Sequence, residues 1–354
     1  MLCVYSFGFR VALRAARGTG KDAGRRRTMK GFYRKPLPTA ITMAVLALLA
    51  STGCQRDDYA RRLIEPTANL GQMMDLTASN EQLVQSGKID AARQFQMPDG
   101  VEIDTWIVKA AAAEGPAAET RGTVVILHDL GDSKAPHLSL ARRLANRGFD
   151  VVLPDLRAHG RSTGRYVTYG AKEKHDVKAI VGELLRDGEI HEPVYAYGLS
   201  LGAATAIQYA AIEPRCKGVV AMAPYQDAQT ICRRWMAFHA PTMSEADFMS
   251  TLERAGQIAG FNPEDASSIR AVQTTTTPLL LVHGLLDSTV PWDQSQAVFD
   301  AASEPKQIII VPWASHITLP AFREQWVAEQ IDHIATTGLK TDAPAPDKPE
   351  NSDD

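Results

Sequence analysis

The sequence predicts an α/β domain with a mostly parallel central sheet and helices on both faces. Three observations predict it. Between residues 123 and 336, short apolar runs rich in Val, Ile and Leu alternate with longer amphipathic runs. That is the pattern of strands covered on both faces and joined by helical crossovers. The run Val194-Tyr195-Ala196-Tyr197 passes through Gly198-Leu199-Ser200-Leu201-Gly202 directly into an Ala-rich stretch, 203–211, a tight strand-to-helix turn. The composition, 45% apolar and 22% charged over 354 residues, suits a chain that buries one large core or two small ones.

The elements follow in order. Residues 91–97 and 101–109 alternate with period two around Pro98-Asp99-Gly100, a hairpin signal. The Ala/Glu/Gly/Pro-rich run 110–121 reads as an exposed connection. Strands are expected at 123–127, 150–153, 194–197, 218–222, 278–282 and 307–311. Helices are expected at 138–147 (ending at Gly148), 174–186, 203–211 and 321–336. Residues 225–277 break the alternation with Trp235, Met236, Phe238, Met243, Phe248, Met249, Ile258 and Phe261. They read either as helices packed on the core or as a cover over a site. This frame makes 91–337 one domain, 54–90 a tether with a short helix, and 338–354 a Pro/Asp-rich tail expected to be disordered.

Residues 1–53 read as a leader. Lys30, Arg34 and Lys35 precede an apolar run, 40–50, too short to span a bilayer comfortably. Met29 is a candidate natural start. Ser51-Thr52-Gly53-Cys54 resembles the bacterial lipobox, which implies a lipid on Cys54. Ser51 departs from the usual Leu. Gln55 rather than Asp follows the cysteine, which by analogy with enteric sorting implies an outer-membrane lipoprotein facing the periplasm. The alternative is an ordinary cleaved signal or an uncleaved anchor. The leader holds ten Lys or Arg and one Asp, a net of +9, so the formal charge of −3 for the chain leaves −12 on the remainder. An acidic body without a basic patch argues against nucleic acid as a partner. Cys216 and Cys232 flank an expected strand near its opposite ends, which does not favour a bridge.

The chemistry centres on Ser200. A serine hydroxyl needs a base within reach and an acid to orient that base. For a G-x-S-x-G turn the chain order is Ser, acid, His. His316 follows the last expected strand, whereas His333 falls mid-helix. Asp287 follows the strand before it, with Asp227 as the alternative acid. The backbone N–H of Leu201 and of Leu130, in the loop Leu127-His128-Asp129-Leu130-Gly131-Asp132, are the expected oxyanion donors. His128 and His159 are expected to be structural. The scattered histidines and the lack of a Gly-rich phosphate loop imply no metal and no cofactor.

With these motifs, residues 90–337 resemble the α/β-hydrolase superfamily, nearest to its serine-aminopeptidase-like and monoglyceride-lipase-like esterases. Asp155-Leu156-Arg157-Ala158-His159-Gly160-Arg161-Ser162 resembles the family's D-x-R-G-H-G-x-S turn, with Ala158 in place of Gly. Asp129 stands where a Gly is more common. The resemblance implies a lid at about 225–277 and a serine hydrolase that cleaves a small-molecule acyl ester through an acyl-enzyme. The alternatives are a peptidase or thioesterase using the same triad, and a non-enzymatic envelope lipoprotein that uses the fold for binding.

Overall fold

The computed structural model describes residues 55–66, 79–111, 120–319 and 324–340. The leader, Cys54 and residues 341–354 lie outside them, so the expectations placed there have no structural counterpart. The core is an eight-stranded sheet in the order β1-β2-β4-β3-β5-β6-β7-β8. Its strands are β1 (Ala91–Gln96), β2 (Glu102–Val108), β3 (Thr123–Leu127), β4 (Asp150–Pro154), β5 (Val194–Leu199), β6 (Cys216–Met222), β7 (Leu279–Gly284) and β8 (Lys306–Val311). The first two are antiparallel, Phe95 opposite Ile103 and Thr105 opposite Pro154. The other pairings are parallel. The mostly parallel α/β expectation is borne out.

The central strands are buried on both faces, so their alternation divides apolar side chains between two cores rather than between core and water. Val125 and Leu127 join one core, with Val219, Ala221, Leu279 and Leu281. Val124 and Ile126 join the other, with Val220, Met222, Leu280 and Val282. The first core is covered by α1 (residues 55–64), α4 (Glu173–Arg186), α5 (Leu201–Ala210) and α9 (Trp292–Ala301). The second is covered by α2 (Asn80–Gln85), α3 (Leu138–Ala145) and α10 (Glu324–Thr337). Cys216 and Cys232 are free thiols, and burial pushes both up to about 12.

Between β6 and β7 lies the helical insert: α6 (Ala228–His239), α7 (Glu245–Ala259) and α8 (Ser268–Val272). Each helix has a sequence-local start. Asp227 accepts the N–H of Thr230, Ser244 that of Asp247, and Ser267 that of Arg270. Gly260 ends α7 at φ 68°. Met236, Phe248 and Leu252 are buried on the main core.

Helix α1, in the segment expected to tether, packs firmly. Ala60, Leu63 and Ile64 are buried. Val167 N–H donates to Ile64 O at 2.9 Å, the Tyr169 hydroxyl donates to Leu63 O, and Asp57 receives both Nε and Nη2 of Arg254 from α7 at 2.7 and 3.0 Å. No helix among the described residues is long and apolar enough to cross a membrane.

Candidate active site

Ser200 sits between β5 and α5 at φ 54° and ψ −110°. An L-residue tolerates that geometry only where its surroundings enforce it. Two glycines permit the turn. A Cβ on Gly198 would lie 2.3 Å from the Gly202 carbonyl carbon, and one on Gly202 would lie 2.1 Å from Leu127 O. Ser200 makes no capping hydrogen bond to α5 through its side chain. The hydroxyl is therefore not spent on the role a helix-start serine ordinarily plays.

Asp287 and His316 lie in the loops after β7 and β8, at the same carboxyl edge of the sheet as Ser200. The two loops are zipped together. Leu285 N–H donates to Val311 O and Leu286 N–H to Ala314 O, both at 2.9 Å, and a Cβ on Gly284 would strike Ala314 O at 2.3 Å. His316 Nδ1–H donates to Asp287 Oδ2 at 2.6 Å. Asp287 Oδ1 accepts the N–H groups of Thr289 and Val290 at 2.9 and 2.8 Å. Burial pushes the Asp287 carboxyl up. His283 and His316 outweigh it, with the Val290 N–H, and hold the group well below the usual carboxylate range. Asp227, the alternative acid, instead caps α6 with Oδ1 on the N–H and hydroxyl of Thr230.

Ser200, Leu201, Leu130 and His316 line one cavity of about 420 Å³. Trp235, Phe238 and Ile231 of α6 supply an apolar wall, and Leu63 of α1 supplies another. Leu201 N–H lies in the first turn of α5, where N–H groups have no partner within the helix. Leu130 N–H, the other expected oxyanion donor, is already engaged: it donates to Asp129 Oδ1 at 2.5 Å. Asp129 Oδ2 lies 3.6 Å from His316 Nε2, an ion-pair separation rather than a hydrogen bond. No hydrogen bond joins His316 to Ser200 among the described residues.

Three supports escaped the sequence reading. His283 is fully buried behind Asp287, its Nε2–H donating to Val290 O at 2.7 Å and lying 3.4 Å from Asp287 Oδ2. Lys134 is buried between Asp104 Oδ1, at 2.8 Å, and Asp155 Oδ2, with its ammonium 4.7 Å from the Trp106 ring centre. It ties the oxyanion loop to the 155–162 turn, since Lys134 N–H also donates to Asp155 Oδ1 at 2.8 Å. Asp129, which stands where a Gly is more common, is the third. His128 and His159, expected to be structural, are both fully buried and bonded to backbone groups. His128 Nε2 accepts Leu156 N–H, which leaves Nδ1–H to donate to Asp129 O, each at 2.8 Å. His159 Nδ1 bonds Arg157 O at 2.9 Å, and burial lowers the pKa of both rings.

Comparison with known proteins agrees with this architecture. A family model described as "Serine aminopeptidase, S33" matches residues 118–266. A protein of Escherichia coli K12, uncharacterized protein YfhR, is 23% identical over 243 residues, covering 66% of this chain and 78% of its own. The Pyrococcus furiosus esterase Pf2001 superposes with a TM-score of 0.57 at 21% identity, over 77% of this chain and 97% of its own. A putative lipase of Acinetobacter baumannii superposes with a TM-score of 0.52 at 14% identity, over 75% of this chain and 99% of its own. With its eight-stranded, mostly parallel sheet, its strand-to-helix turn at Ser200 and its helical insert after β6, the chain has the α/β-hydrolase fold.

Proposed function

We propose that the chain is a serine hydrolase acting on acyl esters. The observation that carries this reading is the Asp287–His316 pair, 2.6 Å apart, whose His316 lines the same cavity as Ser200 on its strained turn. Ser200 attacks the acyl carbonyl. His316 takes the hydroxyl proton at Nε2 and returns it to the leaving alcohol, while Asp287 fixes the imidazole with Nδ1 protonated. Leu201 N–H, with Leu130 N–H once it is released, stabilises the oxyanion. Water activated by His316 then clears the acyl-enzyme. The apolar wall of Ile231, Trp235 and Phe238 favours an ester with a hydrophobic part.

The test is labelling with a fluorophosphonate serine probe. The wild-type chain is expected to label, and Ser200→Ala and His316→Ala to lose labelling and turnover by roughly 10⁴-fold or more. Labelling that survives Ser200→Ala would sink the reading. The serine-aminopeptidase family model favours a second reading, amide hydrolysis by the same residues. Aminoacyl amides assayed beside p-nitrophenyl esters separate the two.

We also propose that the chain is held at the cell envelope by a lipid on Cys54, which directly precedes α1. The support is the apolar run followed by Thr52-Gly53-Cys54. Metabolic labelling with a fatty-acid probe checks it. Incorporation unchanged in Cys54→Ala would overturn it.

A further inference from the structure

Asp129 is where the site departs most from what its chemistry needs. An oxyanion site must present open N–H groups to an incoming acyl oxygen. Here a carboxylate stands in front of one of them, with Oδ1 on Leu130 N–H at 2.5 Å and Oδ2 at 3.6 Å from His316 Nε2. The arrangement is held from behind. The Asp129 carbonyl accepts His128 Nδ1–H at 2.8 Å, and that ring is fully buried and pinned in turn by Leu156 N–H.

We propose that Asp129 is a carboxylate plug: in the resting chain it occupies Leu130 N–H and stands against His316 Nε2, so that the substrate's acyl oxygen must displace it before Ser200 can be deprotonated. This rests on the hydrolase reading above and makes Asp129 a positioning residue, acting through His316 and Leu130. The carboxylate mimics the transition state, with negative oxygen on an oxyanion donor and against a protonated histidine. It competes with substrate for the same contacts. Displacing it returns Leu130 N–H to the site and removes the negative charge beside Nε2 in one motion. No bond is made or broken in that step. The proton on Nε2 leaves to solvent, and the neutral nitrogen then accepts the Ser200 proton.

The charges around His316 come from several elements. Asp129 projects from the loop after β3 and Asp287 from the loop after β7, with His283 behind it. Arg62 and Glu65, in and after α1, and Arg234 of α6 line the same cavity. Arg234 Nη2 donates to Ser288 O at 2.7 Å, while its Nε is buried without a hydrogen-bond partner among the described residues. Arg62, whose Nε donates to Asp58 Oδ2 at 2.9 Å, and Arg234 are the positive charges on the cavity wall. Burial by itself would lower the His316 pKa. The two carboxylates outweigh burial and raise it to about 10. The sign follows: with the plug in place the base is protonated at neutral pH, and activity rises as pH climbs toward that value. Without the plug the rise comes earlier.

The experiment compares the full chain with Asp129→Asn and Asp129→Gly. It reads the pH dependence of fluorophosphonate inactivation and of kcat/KM on a p-nitrophenyl ester. In both variants the acid limb is expected to move down by at least about one pH unit, and the rate near pH 7 to rise about tenfold. Variants that label at Ser200 with an unmoved acid limb overturn the plug and leave the hydrolase reading standing. Failure of all three chains to label at any pH from about 5 to about 10 overturns the hydrolase reading and the plug with it. A ring-nitrogen NMR titration of wild-type His316 guards against variants that fail to fold. A ring protonated on both nitrogens near pH 8 supports the plug, and a neutral ring there overturns it.

Discussion

Ala158 lies in the left-handed region at φ 65°, and Gly160, two residues on, at φ 53°. The two positions differ in what they tolerate. A Cβ on Gly160 would fall 2.2 Å from Asp155 Cγ, so only glycine fits. At Ala158 the side chain is accommodated and the cost is conformational. Ala158→Gly is therefore expected to stabilise the chain by about 0.5–1 kcal/mol, because relief of the strained dihedral exceeds the added freedom of the unfolded state. A urea unfolding midpoint that does not rise in the variant would contradict this account. At the same scale, Asp129 shows how one side chain changes the chemistry of a site. Its backbone carbonyl accepts His128 Nδ1–H while its carboxylate takes the Leu130 N–H that the proposed reaction would need.

At the scale of elements, the α5–β3 contact is the tightest constraint on the site. The helix starts so close to β3 that a Cβ on Gly202 would meet Leu127 O at 2.1 Å and His128 O at 2.7 Å. Gly202→Ala must push apart the strand end and the oxyanion loop, at an expected cost of at least about 2 kcal/mol, with labelling of Ser200 lost in step. Gly182, inside α4, is the control. Its nearest neighbours to an added Cβ are guanidinium tips 3.7–3.8 Å away, so Gly182→Ala is expected to stabilise by roughly 0.5–1 kcal/mol. Two helical glycines thus give substitutions of opposite sign, and equal midpoint shifts in urea would refute the packing argument. Helix α1 belongs to this scale too, since Leu63 is at once part of the main core and a wall of the cavity.

Across the whole molecule, segments far apart in sequence, from residues 62–66 to His316, meet to line one cavity. The sheet's carboxyl edge supplies Ser200 and His316, the proposed reacting groups, α6 supplies Ile231, Trp235 and Phe238, and α1 supplies Leu63. Exposed apolar residues adjoin the reacting groups in sequence, with Ile317 beside His316 and Leu286 beside Asp287, at 85% and 60% exposure. Such an enclosure should reward apolar length in the substrate. Across p-nitrophenyl esters, kcat/KM is expected to rise from acetate by up to about fourfold per methylene, the factor for about 0.8 kcal/mol per buried CH₂. The rise should stop once the cavity of about 420 Å³ is full. A flat series, or one that favours acetate, would remove the apolar walls from any role in binding.

The sheet, the four helices α3, α4, α5 and α10, and the strained turn at Ser200 were legible in the sequence because they rest on local rules. Alternating apolar runs, glycines two residues either side of a serine, and a glycine such as Gly148 after a helix act within a few residues of themselves. The placement of Asp287 and His316 at one edge of the sheet, in contact with each other, was legible for a related reason. Each directly follows an apolar strand, and parallel strands deliver such loops to one edge of the sheet. What lies between distant segments was decided only by the tertiary structure. The helix α9, with little apolar periodicity, takes its place from packing on the sheet. The docking of α1 depends on Tyr169 and on the Asp57–Arg254 pair, 197 residues apart in sequence. The placement of Lys134 between two carboxylates, and of His283 behind Asp287, depends on burial, which removes water as the alternative partner. Asp129 belongs with these. In the sequence it is one acidic residue in a loop. Only when the loops after β3 and β8 meet does its carboxylate reach both Leu130 N–H and His316.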